Sequence, residues 1–188
     1  GPMTSPLSRR ALSLFQNFNP FHNIIHYYVD LSVFLITSGD DTLSPKVWWA
    51  LNRRKRVTSL YGLEVRHGSL EARDRFVQAC FAKVQARKKT VCGERLGFRD
   101  FFVPILKGGK ILGYLQAGAF AEGEITREIL EKCWKDLTGR EASPALPEFR
   151  EWVRALLEIP VLDGPLTGAF QEALELFARL LADEPGGQ

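Results

Sequence analysis

The stretch Cys92–Phe120 has the sequence CGERLGFRDFFVPILKGGKILGYLQAGAF and predicts two β-strands joined by a tight turn. Apolar and β-prone residues occupy 101–105 and 111–115, and the tetrapeptide Lys107–Lys110, KGGK, lies between them. Its two glycines can adopt the positive φ angles that a short hairpin needs. The stretch therefore predicts a central antiparallel hairpin, which the chain enters through a loop at Cys92-Gly93.

Two residues of the predicted hairpin limit how it can pair and pack. Pro104 has no N–H to donate to a neighbouring strand, so the first strand is expected to lie at an edge or to be bulged there. Gly113 removes a side chain from the second strand at about the same level, which would leave room for a ligand. Alternation of side chains places Phe101, Val103 and Ile105 on one face, Phe102 on the other, and Leu112, Tyr114 and Gln116 together on one face of the second strand.

The order of features in this stretch is typical of one family of sensory domains. A Cys is followed by Gly and a hydrophobic residue, then by a Pro-Ile pair, a turn, a Leu-Gly pair and a further Gly. These features are Cys92, Gly93, Leu96, Gly97, Pro104, Ile105, Leu112, Gly113 and Gly118. The order resembles PocR-type sensory domains, relatives of PAS and GAF domains that precede DNA-binding or kinase modules in bacterial regulators. GAF domains share the Pro-Ile, turn and Leu-Gly portion.

The resemblance implies an α/β (α+β) fold with a PAS/GAF-like antiparallel sheet, flanking helices and a helical C-terminal region. Gly93 stands where the family usually has a His after its Cys, so we expect no metal and no Cys-His chemistry. In such folds the sheet curves around a small ligand, and the central strands and covering helices line the cavity. We therefore look for a ligand-binding pocket and expect no further cofactor.

Composition is that of a soluble globular protein with a single core. The chain has 188 residues, of which 45% are hydrophobic and 25% are charged, enough for one domain but not for two full ones. Gly1-Pro2 before Met3 resembles a cleaved tag, so residues 1–3 are set apart. One sensory domain is predicted over 4–183, with 184–188 as a tail or linker.

Cysteine usage and hydropathy bear on the compartment. Cys80, Cys92 and Cys133 are too few and too scattered for a disulfide framework, which agrees with a reducing compartment. No run approaches the roughly 18 apolar residues that span a bilayer, and no secretory leader is evident. We predict a cytoplasmic protein that does not associate with membranes.

Charge gives little support to nucleic-acid binding. The formal net charge is +3, and basic residues concentrate only at 53–56 and 87–89. Each cluster could contact phosphates, but solvated loops or helix ends also carry such runs, and no base-reading element accompanies them. We therefore expect direct nucleic-acid binding to be absent.

The periodicity along the chain predicts the order α, β, α, β-hairpin, α, α, α. The predicted elements are a helix from Ser5-Pro6 to Asn19, a strand over Tyr27–Thr37, a helix capped by Ser69, a helix over 125–137 closed by Gly139, a helix that begins at Pro147, and a last helix from Leu166. The region Pro45–Val65 stays ambiguous: PKVWWALNRR is compatible with a short helix and RVTSLYGLEV with a strand.

The last helix carries a regular apolar stripe, which can serve either the core or a dimer. Its members are Leu166, Phe170, Ala173, Leu174, Phe177, Leu180 and Leu181. Strict heptads are not sustained over the three or four repeats typical of a coiled coil, so core packing is favoured. A homodimer through this helix stays a second possibility.

Enzyme signatures are weak. Cys92 is a candidate nucleophile, since neighbouring cations can lower a thiol pKa, but no histidine is spaced to act as its base. His22 and His26 could bind a metal if their segment were helical, yet no third ligand is placed. Asp40-Asp41 follows Ser-Gly and is typical of a turn. We expect no catalytic residues and no enzymatic activity.

We predict a small-molecule-sensing regulatory domain of a bacterial signalling or transcription-regulating protein, which signals by a ligand-dependent change of conformation. The expected ligand is small and apolar or weakly polar, and a fused output domain or a protein partner receives the signal. The alternative is a degenerate sensor fold whose cavity is filled and which serves as a protein-protein interaction or scaffold module.

Eight residues are candidates for lining the ligand pocket. Arg99 would matter most for an anionic ligand, because its guanidinium can bind a carboxylate through two hydrogen bonds. For the aromatic candidates plain core packing is the alternative, and for Arg99 a surface charge. The candidates are Phe34, Trp48, Trp49, Cys92, Arg99, Phe101, Tyr114 and Gln116.

Overall fold

The computed structural model describes residues 7–23, 32–38, 45–51 and 56–183 and has a mixed α+β fold. Its elements, in chain order, are α1 Arg9–Asn17, α2 Asn19–Asn23, β1 Ser32–Ser38, β2 Pro45–Leu51, α3 Arg56–His67, α4 Leu70–Arg87, β3 Val91–Arg95, β4 Phe98–Lys107, β5 Lys110–Phe120, α5 Arg127–Thr138, α6 Pro147–Leu157 and α7 Gly164–Asp183. The predicted fold class, an antiparallel sheet with flanking helices and a helical C-terminal region, is confirmed.

The five strands form one sheet of order β2-β1-β5-β4-β3, and every neighbouring pair is antiparallel. The predicted hairpin is β4–β5, and its turn glycines Gly108 and Gly109 have φ angles of 58° and 77°. Residues at positive φ are strained unless they are glycine, which explains the KGGK turn. Among the described strands, three of the four neighbouring pairs are consecutive in the chain, and β1–β5 is the pair that is not.

The predicted entry loop at Cys92-Gly93 is wrong, because these residues lie within β3. β3 pairs with the first half of β4, with Cys92 opposite Phe101, and the two strands turn at Leu96-Gly97. The short strand VCGER lacks a long apolar run, so only its pairing with β4 reveals it as a strand.

The position of Pro104 in the hairpin agrees with the prediction, whereas the face on which Leu112 lies does not. β3 pairs with β4 as far as Phe102, so Pro104 lies on a stretch of β4 that has no further described strand on that side. The register shifts between Ile105 and Leu106, and this bulge moves Leu112 to the opposite face from Tyr114. The prediction that Leu112 shares a face with Tyr114 and Gln116 is therefore wrong, since a bulge adds one residue to the alternation.

Helices cover both faces of the sheet. On one face α1, α2 and α7 pack on Phe101, Val103 and Ile105 of β4, as the alternation predicted. On the other face α4 packs on Phe102 and Tyr114, and α3, α5 and α6 pack where the sheet ends near β5. Three clusters of buried apolar residues result, one on the first face and two on the second.

In the region Pro45–Val65, which the sequence leaves ambiguous, the strand comes first and the helix second. PKVWWAL is strand β2, paired with β1, and RVTSLYGLEV belongs to helix α3. In α3 the buried residues Leu60, Leu63 and Glu64 recur at helical spacing, and this periodicity outweighs the β propensity of the segment. Trp48 and Trp49 give β2 the β-prone composition that a strand needs.

Several helix boundaries agree with the sequence and one does not. Ser69 caps α4 by accepting a hydrogen bond from the Ala72 N–H at 3.0 Å, Gly139 caps α5 with a φ of 71°, and α6 begins at Pro147. α1 begins at Arg9 after Ser8, later than predicted; Ser5-Pro6 lies outside the described residues, as do Tyr27 to Leu31 of the predicted strand. Phe170, Leu174, Phe177 and Leu181 of α7 are buried, so that stripe packs in the core.

Among the residues that the structure describes, no helix is long and apolar enough to cross a membrane. The three thiols, of Cys80, Cys92 and Cys133, are free.

Candidate functional site

Buried charged side chains gather between the sheet and helices α3 and α4. We call Tyr61, Glu64, Arg73, Arg95 and Asp100 the ionic cluster. Glu64, Arg73 and Asp100 expose 0%, 7% and 1% of their surface. Charged residues are rarely buried unless they are paired, so this cluster is the most unusual feature of the core.

Local structure brings the ionic cluster together. Tyr61 and Glu64 are three residues apart on α3 and so share one helix face, while Arg73 lies near the start of α4. Asp100 on β4 lies at a register shift whose extra residue, Ala119, is on β5, and Gly118 lies opposite Asp100. A side chain at Gly118 would overlap the Asp100 carboxylate, so the glycine provides the space that this carboxylate occupies.

Hydrogen bonds and ion pairs connect every member of the ionic cluster. Arg73 Nη2 donates to Asp100 Oδ2 at 3.0 Å, and the Tyr61 hydroxyl donates to the other oxygen of Asp100. Arg95 Nε donates to Glu64 Oε1 at 2.8 Å. Arg73 Nη1 lies 3.6 Å from Glu64 Oε2, within ion-pair range. Two carboxylates and two guanidiniums thus balance their charges inside the protein.

Aromatic rings surround the buried guanidinium of Arg73. Its Cζ lies 4.3 Å from the centroid of the Tyr61 ring, 5.2 Å from that of Phe76 and 5.6 Å from that of Phe98. The faces of aromatic rings attract cations, and more strongly when water is excluded. The rings therefore stabilise the charge of Arg73 alongside the two carboxylates.

Burial and pairing shift the acid-base properties of the ionic cluster. Burial raises the pKa of Tyr61 well above its usual value, and the neighbouring Asp100 carboxylate raises it further. Burial also raises the pKa of Asp100, although Arg73 opposes this. Burial alone would lower the pKa of Arg73, but Asp100, Tyr61 and Glu64 outweigh it and the pKa is raised. Tyr61 is therefore held as a protonated donor.

One contact within the ionic cluster is incomplete. Glu64 Oε2 and Arg73 Nη1 are both buried, and neither has a hydrogen-bond partner in the described part of the chain. A buried polar atom without a partner costs free energy. A rearrangement of the ionic cluster costs the least free energy at the Glu64–Arg73 contact, because no hydrogen bond has to be broken there.

A cleft of about 320 Å³ opens beside the ionic cluster, between the β3–β4 turn, the segment after β5 and helix α5. We call it the end cleft. Seven of its lining residues are charged: Glu94, Arg95, Arg99, Glu122, Glu124, Lys132 and Asp136. The other lining residues are apolar or glycine, among them Ile125 and Ile129, so the lining is mixed. It carries more charge than a pocket for the predicted apolar or weakly polar ligand, and it suits a ligand with polar groups.

Arg99, a predicted site residue, lines the end cleft and already has two carboxylate partners. Its Nη2 lies 3.2 Å from Glu94 Oε2 and its Nη1 lies 3.1 Å from Glu122 Oε2. Its guanidinium is thus occupied on both sides, and an anionic ligand would have to displace a carboxylate. In this state Arg99 is a paired charge at the rim of the cleft.

Arg95 connects the end cleft to the ionic cluster. It lines the cleft and exposes 26% of its side chain, whereas its partner Glu64 exposes 1%. Glu64 in turn contacts Arg73, which holds Asp100. A change at the cleft can therefore reach helices α3 and α4 through this series of charged contacts.

The other predicted pocket residues are not brought into one pocket. Tyr114 and Gln116 lie on the α4 face of the sheet with Phe34, whereas Phe101 is buried on the opposite face under α7. Cys92 is exposed on β3. The side chains of Trp48 and Trp49 lie outside the described residues, as does the basic run at 53–55.

Aromatic side chains fill the space between α4 and the sheet, on the face that carries Tyr114. Ring centroids of Phe81 and Tyr114 are 4.5 Å apart, those of Phe81 and Phe102 are 5.2 Å apart, and those of Phe76 and Phe102 are 6.4 Å apart. Tyr114 exposes 1% of its surface. These residues form a packed core, which was the alternative reading of the aromatic candidates.

The surroundings of Cys92 do not lower the pKa of its thiol. Partial burial raises its pKa, and this outweighs the lowering by the adjacent Arg99. His22 Nε2 lies 2.9 Å from the Phe15 carbonyl oxygen, and His67 packs edge-on against Trp134. His26 and Asp40-Asp41 lie outside the described residues. Within the described ranges, no group of His, Cys, Asp and Glu is arranged to hold a metal ion.

Sequence reasoning missed the ionic cluster, although signals for it are present. Asp100 interrupts the run FRDFFVPI between Phe98 and Phe101, where a strand buried on both faces should be apolar. Arg73 lies three residues before Phe76, so it falls on the apolar stripe of α4. Glu64 follows Leu63 on the buried side of α3. A charged residue at a position that the pattern expects to be buried indicates a buried ion pair. Which residue pairs with it becomes evident only in the folded chain.

Protein-family models, curated proteins and solved structures were all compared with this chain, and none of them matches it.

Proposed function

We propose that this chain is a small-molecule-sensing regulatory domain that passes a ligand-dependent change of conformation to an output module or partner. The observation that carries the proposal is the continuous contact from the end cleft through Arg95 and Glu64 to Arg73 and Asp100. An antiparallel sheet of order β2-β1-β5-β4-β3, with two helices between β2 and β3, also agrees with the PAS and GAF resemblance.

The charges of the end cleft define the class of ligand. Glu122 and Glu124 favour a cationic group, while Arg95 favours an anionic one. A cleft of about 320 Å³ is at the lower end of small-molecule sites. The proposed ligand is therefore a small zwitterion or a short carboxylate that carries an amine, rather than an apolar molecule.

Competition for Arg95 supplies the proposed mechanism. A ligand carboxylate that hydrogen-bonds Arg95 weakens its bond to Glu64, and a buried carboxylate that loses a partner is costly. Glu64 then moves fully onto Arg73, whose Nη1 has no hydrogen-bond partner among the described residues. Because Glu64 belongs to α3 and Arg73 to α4, this movement shifts the packing of the two helices. The ligand thus selects one of two packing arrangements of α3 and α4, with Glu64 bonded to Arg95 in one and to Arg73 in the other.

Native mass spectrometry and a thermal-shift screen test this proposal. The probes are free amino acids, short aminocarboxylates and, as an apolar comparison, simple aromatics. A probe at one hundred times its Kd adds about 2.7 kcal/mol to stability. Ile129→Trp, which fills the end cleft from α5, should abolish the shift. Leu157→Trp, at an exposed position of α6, is the matched control and should preserve it.

A second candidate function is a protein-interaction or scaffold module, and the filled space between α4 and the sheet favours it. Phe81 packs edge-to-face against Tyr114 and Phe102, and these side chains occupy the space between α4 and the sheet. This candidate is favoured over sensing if the purified chain carries no bound mass, none of the probes shifts its melting temperature, and it is stable alone.

A further inference from the structure

Helix α7 has a second apolar stripe, which the core does not use. Its buried stripe faces the sheet, but Leu166, Leu176 and Leu180 expose 36%, 52% and 37% of their surface. Together with Ala169 and Ala173 they recur at spacings of three, four, three and four residues. This is the heptad spacing that brings two helices together. We call Leu166, Ala169, Ala173, Leu176 and Leu180 the outer seam.

Two opposite charges flank the outer seam on one side. Glu172 and Arg179 are seven residues apart, each directly precedes a seam residue, and both are exposed. Neither forms an ion pair with another residue of the described part of the chain. On a single chain they are too far apart along α7 to pair with each other, since seven residues span about 10 Å of helix.

We propose that two copies of this chain associate through α7 helices that run antiparallel across a two-fold axis. In this dimer Ala169 packs opposite Leu180 of the second copy, and Ala173 packs opposite Leu176. Each alanine lets the backbones approach, and the leucine opposite fills the space. In the same register Glu172 lies beside Arg179 of the second copy, and two-fold symmetry forms this ion pair twice.

Charge complementarity selects the antiparallel arrangement over a parallel one. In a parallel pair, Glu172 would face the heptad position that Phe177 occupies in the second copy. Phe177 is buried in its own core against Phe21, with ring centroids 3.9 Å apart, and offers no charge. The antiparallel register gives Glu172 and Arg179 each an opposite charge to pair with. It also leaves the buried stripe of α7 packed on the sheet.

Sedimentation and light scattering of five variants test the proposed dimer. The unmodified chain should have twice the 21.2 kDa mass of one chain, and Leu176→Glu should be monomeric. Glu172→Arg and Arg179→Glu should each raise the dimer Kd about tenfold, because each creates two like-charge contacts. The double variant Glu172→Arg/Arg179→Glu should restore the original Kd. Leu157→Glu, exposed on α6, is the control and should remain dimeric.

A monomeric unmodified chain, or a double variant as weak as the single ones, would overturn the proposal. Oxidative cross-linking in a Cys92→Ser background tests the direction of the helices. Ala169→Cys/Leu180→Cys should form a disulfide-linked dimer, and Ala169→Cys alone should not. Efficient cross-linking by Ala169→Cys alone would mean a parallel pair and would also overturn it.

Discussion

The two faces of the sheet are stabilised in different ways. On the α7 face the buried side chains of both layers are apolar, such as Val103 and Ile105 against Leu174. On the opposite face the aromatic core continues into the ionic cluster, where Glu64 and Asp100 are as deeply buried as any leucine. One sheet thus packs an uncharged layer on one side and a charge-balanced layer on the other.

The difference shows what each face can do. Apolar contacts are not directional, so the α7 face holds its helix firmly and tolerates small shifts. Ion pairs in the interior stabilise the fold only while each charge keeps its partner. The ionic cluster therefore adds little net stability and makes the packing of α3 and α4 dependent on Arg95, which reaches the end cleft.

Removing the central cation should produce the largest effect. Arg73→Met leaves Asp100 and Glu64 buried without their shared partner and should lower the free energy of unfolding by about 3–5 kcal/mol. Urea unfolding at neutral pH measures this. Arg75→Met, an exposed change on the same helix, is the matched control and should cost little. Equal losses in the two variants would mean that the buried carboxylates of Asp100 and Glu64 do not depend on Arg73 in the native state.

The apolar face should respond as an ordinary core. Leu174→Ala removes a fully buried side chain from α7 and should cost about 3 kcal/mol, from lost burial and the cavity that remains. The loss, measured by urea unfolding, should be the same at neutral pH and above pH 10. Leu157→Ala, at an exposed position, should change stability by less than about 0.5 kcal/mol.

The ionic cluster should make stability dependent on alkaline pH through Tyr61. Tyr61→Phe should cost about 2 kcal/mol at neutral pH, because Asp100 loses a hydrogen bond. In the folded state the pKa of Tyr61 is raised well above the ordinary 10.0. Above pH 10 the unfolded chain therefore releases a proton that the native chain retains, and this part of the stability is lost as pH rises.

The stability difference between the unmodified chain and Tyr61→Phe should accordingly narrow above pH 10, in urea unfolding at a series of pH values. The difference for Leu174→Ala should stay constant over the same series. A constant difference for Tyr61→Phe would contradict the raised pKa of Tyr61.

The smallest effect should come from an ion pair at the surface. Arg66 Nη2 and Glu151 Oε2 are 2.9 Å apart and link α3 to α6, but their side chains are 57% and 52% exposed. Glu151→Gln should lower stability by no more than about 0.5 kcal/mol, as is usual for exposed pairs. Glu64→Gln makes the same chemical change at a buried site and should cost several times more. Similar losses would mean that burial does not decide the value of these pairs.

Local patterns predicted the elements that local chemistry controls. The KGGK turn, the Ser69 and Gly139 caps, the start at Pro147 and the buried stripe of α7 all depend on residues within a few positions of one another. β3 was missed because VCGER has no apolar run, and the segment of α3 was left ambiguous because RVTSLYGLEV has high β propensity. In both cases contacts with distant segments outweigh the local preference.

The candidate site was predicted less well than the fold. Arg99 was identified from its place beside the hairpin, and it does line the end cleft. Five of the other seven candidates were aromatic residues expected to line the pocket, and two of these, Phe101 and Tyr114, are core residues on opposite faces of the sheet. The bulge between Ile105 and Leu106 also changes which residues share a face, and a bulge depends on strand pairing rather than on composition.

The α+β class, the central hairpin and the helix caps could all be predicted from local sequence, because each follows from periodicity and from the conformations that glycine and proline favour. The meeting of Glu64, Arg73, Arg95 and Asp100 depends instead on how distant segments pack. These four residues belong to α3, α4, β3 and β4 and pair with one another, although they lie up to 36 residues apart in the chain. Charges are buried only where opposite charges arrive with them, and that condition is met by the folded chain and not by any one segment.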